Sequence, residues 1–389
     1  MGENFTISSR NRWSTNILNQ YSSHSTITGI QYLAEPRRPL IERIFWIIMF
    51  LAMTIICVKL TWESYIKWKD SPVLISPNNQ FSSVLEIPFP AVTICPHQKF
   101  NMTKKNMTDF ILRLYNKYLN MTDENNQLIF EVAQQICPAL NEDLLRFFFI
   151  TFPDKYVDPD IFMSTMIDLS PTYKSIFLYR FWETKDIDGE FQPFLHKEGI
   201  CFTFNSLDTS DIFRNGSNPH KILLDKLKYQ LVEHKKSSPF NGTRSGKGSG
   251  FRVQMLNDLD NNCEICQEMN QGAEIAIHSP DEVPDFTNYV SINGKKNVLV
   301  SITPRVMQIS DGLKYVDFSK RQCYLKNEKY LQHFKIYTQA NCEFECLTNL
   351  TLKMCGCVKF YMPRNETTKF CTRENYCTST ASENLSFWP

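Results

Sequence analysis

The chain has 389 residues, in which 42 Lys and Arg almost balance 41 Asp and Glu. This balance excludes a typical nucleic-acid-binding protein, which carries a net basic domain with clustered Lys and Arg. Seven of the 13 cysteines lie between residues 323 and 377. Such a cluster indicates either disulfide bonds in an oxidising compartment or metal sites in a reducing one. Because 13 is odd, at least one cysteine has no disulfide partner within the chain.

An apolar stretch near the N-terminus predicts one transmembrane helix. Residues 1–40 are polar and contain no apolar h-region, so they are not a cleavable secretory signal. From Ile44 to Val58 every residue except Thr54 is apolar, and residues 41–62 reach the length of about 20 residues that a span needs. The alternative, a buried helix of a soluble protein, is disfavoured because the stretch is apolar on all sides. Cys57 then lies in lipid, and twelve cysteines remain for disulfide bonds.

Charge and glycosylation signals orient this span. Five arginines precede it or begin it, at positions 10, 12, 37, 38 and 43, and an excess of positive charge marks the cytosolic side. Eight N-x-[ST] sequons follow it, at Asn101, Asn106, Asn120, Asn215, Asn241, Asn349, Asn365 and Asn384. We therefore expect a cytosolic N-terminus at residues 1–40 and an extracellular domain at residues 63–389. No second span is evident after Trp62.

The outer region predicts helices between short strands. Residues 63–80 form a polar connector, and residues 83–87 and 88–95 have the alternation of an edge strand. Apolar residues at helical spacing predict helices over about 104–149, with a cap at 141–143, and over 221–232. A Gly/Ser/Lys-rich loop covers 235–250.

The second half of the outer region continues this mixture. Strands are predicted at Phe251–Leu256, Ala273–His278 and Val298–Ile302, and helices at 311–322 and 340–351. The fold class is therefore an α+β membrane protein, with one N-terminal transmembrane helix and a large, disulfide-rich mixed outer domain.

The C-terminal cysteines favour disulfide bonds over a metal site. In a helix, Cys342 and Cys346 share one face, so they are poorly placed to bond each other and well placed to bond a neighbouring strand. Zinc, held by these two with Cys355 and Cys357, is the competing interpretation. The C-x-x-C at 263–266 predicts a local disulfide or a bond from one of its cysteines to Cys137.

No motif points to an enzyme. The chain contains no H-E-x-x-H, G-x-S-x-G or P-loop pattern. His278 lies in a proline-rich acidic segment without an evident nucleophile, so we expect it to structure a loop. We therefore predict no catalytic activity, no cofactor and no metal.

Several short motifs follow one another along the outer region. Residues 89–95 read F-P-A-V-T-I-C, residues 199–205 read G-I-C-F-T-F-N, residues 278–284 read H-S-P-D-E-V-P, and residues 337–346 read Y-T-Q-A-N-C-E-F-E-C. Together with R-Q-C-Y at 321–324 and C-G-C at 355–357, they resemble the degenerin/epithelial sodium channel family. Pro96 stands where that family has Asn. Residues 355–364 resemble the insect pickpocket subfamily of this family.

This resemblance implies a subunit of a sodium-selective, amiloride-sensitive channel in the plasma membrane. The family forms homo- or heterotrimers of related subunits, each with cytosolic termini, two membrane spans and an outer domain divided into palm, finger, thumb, knuckle and β-ball. By this resemblance, residues 104–150 are finger-like and residues 311–380 are thumb-like. Membrane lipid, sodium ions and related subunits are the expected partners, and nucleic acid is not.

The resemblance also implies a disulfide pattern. It pairs Cys95 with Cys201, Cys355 with Cys377 and Cys357 with Cys371. The partners that it implies for three further cysteines lie beyond Pro389, so these three are expected to be free thiols: Cys323, Cys342 and Cys346. The family's second span and selectivity filter also lie beyond Pro389, so we interpret the chain as a subunit truncated before its pore, and expect retention in the endoplasmic reticulum.

Two functions remain open from the sequence. The first is a ligand- or mechanically gated sodium channel subunit, and the second is a non-conducting, single-pass glycoprotein that assembles with full-length subunits and modulates them. Before the span, the family's His-Gly gating pair corresponds to Thr28 and Gly29, so the histidine is replaced. Without the motifs, an unrelated cysteine-rich extracellular binding protein is the third hypothesis.

Overall fold

The fold is taken from a computed structural model. It describes residues 20–21, 24–25, 39–70, 83–116, 123–137, 158–187, 191–221, 223, 227, 239–246, 248–256, 263, 266, 272–284, 288–326, 328–369 and 371.

The described elements alternate between helices and strands along the chain. The helices are α1 Leu40–Asp70, α2 Met107–Tyr115, α3 Glu124–Ile136, α4 Pro159–Leu169, α5 Tyr173–Ile176, α6 Thr209–Ile212, α7 Phe318–Arg321 and α8 Gln339–Cys355, with 3-10 turns at Val84–Glu86 and Asp311–Tyr315. The strands are β1 Ala91–Pro96, β2 Phe177–Trp182, β3 Lys185–Asp186, β4 Phe191–His196, β5 Gly199–Phe204, β6 Phe251–Met255, β7 Gly272–His278 and β8 Tyr289–Asn293. The chain divides into two compact units, one of residues 1–77 with 308–323 and one of residues 78–307 with 324–389.

Helix α1 belongs to the first unit and is, among the described residues, the one helix long and apolar enough to cross a membrane. Its two threonine hydroxyls donate to backbone carbonyls one turn earlier, Thr54 to Phe50 and Thr61 to Cys57, both at 2.8 Å. These bonds satisfy the hydroxyls without water, as lipid requires.

Helix α1 is longer than the predicted span. It runs to Asp70, whereas the sequence predicted a polar connector from residue 63. The 31 residues correspond to about 46 Å of helix against a hydrocarbon core of about 30 Å. No proline lies within the helix, and the next one after it is Pro72. Exposed Trp62, Tyr65 and Trp68 form the aromatic ladder expected at a membrane surface.

The other part of the first unit is a short segment folded around an arginine. The guanidinium of Arg321 donates to the carbonyls of Leu313 (2.8 Å), Val316 (3.1 Å) and Cys323 (3.0 Å). Asp317 starts a new cap by accepting from the Ser319 amide at 2.9 Å. The single helix predicted over 311–322 is therefore a 3-10 turn followed by the four-residue α7.

The second unit is built on a five-stranded antiparallel sheet. Its strand order is β4-β5-β1-β7-β8, so β1 lies at the centre and every one of its residues is buried. The β4–β5 hairpin closes at Lys197 and Glu198, and Gly199 takes the positive φ (95°) that follows this tight turn. The strand predicted before Cys95 is therefore confirmed for residues 91–96, whereas residues 84–86 form a 3-10 turn.

An aromatic core fills the space between this sheet and a smaller one of order β3-β2-β6. Phe204 stacks on Phe251 with ring centroids 4.8 Å apart, and Trp182 meets Phe89 edge to face at 4.6 Å. Such ring pairs stabilise the fold beyond the contribution of the apolar area that they bury. Strands β2 and β4 had no counterpart in the predicted elements.

A helical layer forms a separate core. The buried faces of α2, α3 and α4 pack together around Phe110, Val132 and Phe162, and Phe360 joins them from the C-terminal region. Helices α2 and α3 lie within the predicted helical stretch 104–149, but the cap predicted at 141–143 lies outside the described residues. Helix α4 was not predicted.

Two further predictions differ from the structure or fall largely outside it. Residues 298–302 are exposed and belong to no described strand, because no described backbone pairs with them. The helix predicted over 221–232 lies almost wholly outside the described residues. Strands β6 and β7 and helix α8 agree with their predicted positions to within a few residues.

Candidate functional site at the junction of the sequence motifs

Three of the sequence motifs meet at one point of the sheet. Thr93 of β1 lies opposite Thr203 of β5, and their hydroxyl oxygens are 2.8 Å apart. On the other side of β1, the Thr93 hydroxyl is 2.8 Å from Nε2 of His278, the last residue of β7. Residues 110 and 185 positions apart therefore form one polar chain across three strands.

The protonation of this chain follows from its contacts. Nδ1 of His278 lies 2.9 Å from the Ser279 carbonyl, which can only accept, so Nδ1 carries the proton. Nε2 then accepts from Thr93, whose oxygen in turn accepts from Thr203. Burial lowers the pKa of His278 to about 4, although the Ser279 carbonyl and the Asp281 charge act in the opposite direction. The imidazole is thus neutral at physiological pH, and its two nitrogens contact the Thr93 hydroxyl and the Ser279 carbonyl.

A disulfide bond joins two of the motifs close to this chain. Cys95 at the end of β1 bonds Cys201 of β5, the pair that the resemblance implies. His196 lies beside them, and a ligating atom of each of the three lies within 4.8 Å of the others. Because the two sulfurs bond each other, neither is a thiolate for a metal. Burial lowers the pKa of His196 to about 3.

A partly buried ion pair lies at the β4–β5 turn. Nζ of Lys99 is 3.0 Å from the Glu198 carboxylate and also donates to the Glu198 carbonyl at 2.8 Å. Burial alone raises the pKa of Glu198, but the Lys99 charge and hydrogen bond outweigh burial and leave this pKa below its usual value. On β7, burial and the nearby Glu198 charge raise the pKa of Glu274.

Asn205 is the last residue of the second motif, and its side chain bonds the backbone of Phe89 and Phe240. It has a left-handed backbone (φ 61°), which asparagine tolerates better than most residues. Its side-chain amide donates to the Phe89 carbonyl, and its side-chain oxygen accepts from the Phe240 amide, both at 2.5 Å. The first and second motifs are therefore joined by Asn205 as well as by the disulfide bond.

The fourth motif forms the start of α8. Thr338 caps the helix by accepting from the Asn341 amide at 3.2 Å. The carboxylate of Glu345, which is 8% exposed, accepts from the amides of Gln332 (2.9 Å) and His333 (2.8 Å). Glu345 therefore fixes the backbone that precedes the helix.

The remaining cysteines divide into bonded and unbonded groups. Cys357 bonds Cys371, and Cys355 is also disulfide-bonded, so neither offers a thiolate to the zinc site considered above. Cys377, the expected partner of Cys355, lies outside the described residues. Cys137 bonds Cys266, which is one of the alternatives left open by the sequence. The three cysteines that were expected to be free thiols, Cys323, Cys342 and Cys346, form no disulfide bond within the described residues, and neither does Cys57 of α1.

Other predicted site residues are placed as follows. Thr28 and Gly29 lie outside the described residues, as do two sequon asparagines, Asn120 and Asn384. A sixth sequon asparagine, Asn101, is half-buried. Five are exposed: Asn106, Asn215, Asn241, Asn349 and Asn365. The structure therefore leaves these five accessible to a glycan.

Several side chains of the junction were not singled out by sequence reasoning. Thr93 and Thr203 lay inside recognised motifs, but their pairing depends on strand register, which the sequence does not show. Lys99, Glu198 and Glu345 resembled ordinary solvated charges, and only burial distinguishes them.

Comparison with known proteins supplies the family. A family model described as "Amiloride-sensitive sodium channel" matches residues 21–387. Pickpocket protein 28 of Drosophila melanogaster is 26% identical over 375 residues, covering 92% of this chain and 58% of that protein. Sodium channel protein Nach of Drosophila melanogaster is 23% identical over 382 residues, covering 93% of this chain and 66% of that protein. The human bile acid-sensitive ion channel is 23% identical over 351 residues, covering 88% of this chain and 59% of that protein.

The family model and two of these relatives are described as ion channels, and the chain spans about six tenths of the length of the three relatives. The match of the family model to nearly the whole chain, over the same residues that carry the motif junction, agrees with the resemblance drawn from the motifs. The chain belongs to the amiloride-sensitive sodium channel family, that is, the degenerin/epithelial sodium channel family.

Proposed function

We propose that the chain provides the first membrane span and most of the outer domain of a sodium channel subunit in the plasma membrane. The observation that carries this proposal is the family match over residues 21–387, which includes both α1 and the motif junction. The subunit assembles with two related subunits or copies, passes sodium ions in the complete channel, is inhibited by amiloride and is gated by a ligand or by mechanical load. Palm, finger and thumb correspond to the five-stranded sheet, to helices α2–α3 and to helix α8.

The proposed topology places residues 1–40 in the cytosol and the second unit outside the cell. Its support is the arginine-rich N-terminal side of α1 and the exposed sequon asparagines of the outer domain. Digestion of the expressed chain with a glycan-removing amidase tests it. We expect a mass loss that shrinks in Asn349→Gln but not in Asn4→Gln, whose sequon lies on the cytosolic side. If the mass loss shrank only in Asn4→Gln, the proposed topology would be wrong.

Electrophysiology tests the channel function itself. The chain is expressed in oocytes alone and together with Pickpocket protein 28, and amiloride-sensitive sodium current and surface abundance are measured. We expect co-expression to place the chain at the cell surface and to change the amiloride-sensitive current at least about twofold. A variant with Leu51→Lys and Ile55→Lys is the control, since each lysine near the centre of a span costs about 3 kcal/mol of insertion free energy.

The outcomes separate the two functional hypotheses. Current from the chain alone supports a conducting subunit. A changed current only in co-expression supports a non-conducting, modulating subunit. Normal surface expression with no association and no effect on any channel of the family would overturn the proposal.

A further inference from the structure

The segment 278–284 is hydrogen-bonded to the five-stranded sheet at one end and to helix α8 at the other. At the sheet, His278 contacts Thr93 of β1 at 2.8 Å. Two residues later, the Pro280 carbonyl accepts from the Leu207 amide at 2.9 Å, just beyond β5. This end of the segment is therefore held by β1 and by the residues just beyond β5.

At its other end the segment is held by one side chain of α8. Asn341 is fully buried, and its side-chain oxygen accepts from the Val283 amide at 3.1 Å. Its side-chain nitrogen donates to the carbonyls of Asp281 (3.1 Å) and Ile336 (3.2 Å). The side-chain oxygen and nitrogen of Asn341 therefore bond the segment 278–284 and the turn before α8.

The contacts require an amide and not merely a polar group. A carboxylate at position 341 keeps the acceptor for Val283 but loses both donors. It also places a negative oxygen against the carbonyls of Asp281 and Ile336, and an unmatched buried charge is unfavourable. Asparagine is the short side chain that donates and accepts at the same time.

Among the described elements, β1 is the first strand that follows the membrane helix in the chain. We propose that Asn341 is a positioning residue that couples helix α8 to β1 through the segment 278–284. A displacement of α8 moves Asp281 and Val283 through their hydrogen bonds to Asn341. The contact between His278 and Thr93 then displaces β1. The coupling concerns the folded chain and does not depend on the proposed channel function.

The test is hydrogen–deuterium exchange on the full chain in lipid nanodiscs. In Asn341→Asp we expect exchange about tenfold faster in the segment 278–284, and measurably faster exchange in peptides that cover 91–96. The matched control is Gln339→Glu, the same amide-to-carboxylate change on the same helical turn at an exposed position, where the side chain bonds only Glu343. The control should leave both regions unchanged. Faster exchange confined to α8 would overturn the proposal.

A second pair of variants tests the coupling in the opposite direction, because energetic coupling between two sites is reciprocal. Thr93→Val removes the hydroxyl that bonds His278, and Thr93→Ser keeps it. We expect Thr93→Val, relative to Thr93→Ser, to accelerate exchange in residues 336–345. Equal exchange in the two variants would overturn the proposal even if Asn341→Asp does not fold. Since neither measurement uses ion current, a failure here is distinct from a failure of the channel function.

Discussion

The replacement of Glu345 is expected to destabilise the outer domain more than any other single charge change on α8. Its carboxylate is 8% exposed and accepts two backbone amides at 2.9 and 2.8 Å. A hydrogen bond to a charged group contributes about 1.5–3 kcal/mol. Glu345→Ala removes both bonds and leaves two amides without this acceptor, so we expect a loss of about 3–5 kcal/mol in the free energy of unfolding. Glu345→Gln keeps one acceptor and is expected to lose about 2 kcal/mol.

Pulse proteolysis of the full chain in increasing urea measures this loss, because it reports the folded fraction without relying on a spectroscopic signal from the membrane helix. The control is Glu343→Gln, two residues earlier on the same helix, where the exposed carboxylate accepts only from the Gln339 side chain. Its effect should stay below about 0.5 kcal/mol, as for other exposed positions. Similar midpoints for Glu345→Gln and Glu343→Gln would show that the two backbone bonds contribute little, and would refute the reasoning.

Three further predictions concern the second unit. Replacing both Cys95 and Cys201 by alanine removes a bond that closes a sequence separation of 106 residues, and should lower the unfolding free energy by about 4 kcal/mol, as measured in urea. Equal stability of the variant and the oxidised parent would contradict this. Gly272→Ala places a methyl group against a carbonyl of β8 and should cost about 1–3 kcal/mol, whereas Gly312→Ala meets only open space and should be neutral. Burial lowers the pKa of His220 to about 3 from 6.5. Below pH 6.5 the unfolded chain therefore binds a proton that the folded chain does not, and stability falls by about 1.4 kcal/mol per pH unit. His220→Gln should make the measured decline shallower, and an unchanged slope would argue against a neutral buried imidazole.

The features best predicted from the sequence are those set by local composition. The apolar run at Ile44–Val58 predicted a membrane helix because its residues are apolar on every face, and α8 followed from its apolar spacing. The polar connector was predicted to begin at residue 63, because a polar composition was taken as the end of a helix, but residues 63–70 are helical. Nothing local stops the helix there, and it continues to Asp70.

The features that the sequence did not predict depend on distant partners. Strand β2 and helix α4 became evident only from their packing, in the aromatic core and in the helical core respectively. Residues 298–302 have the composition of a strand but lack a paired neighbour within the described residues, and composition alone cannot provide one. The bond from Cys137 to Cys266 likewise required the positions of three cysteines in space.

The polar chain through Thr93 explains why the motifs contain hydrogen-bonding residues at the buried centre of the sheet. Every residue of β1 is buried, so the hydroxyl of Thr93 would be destabilising there without partners. Thr203 and His278 provide them from the two neighbouring strands, and the Ser279 carbonyl satisfies the far side of the imidazole. Each group in the chain therefore depends on the next, and loss of one member leaves another unsatisfied. Because this dependence crosses three strands and continues into the segment that Asn341 holds, it gives the centre of the sheet and helix α8 a common set of contacts.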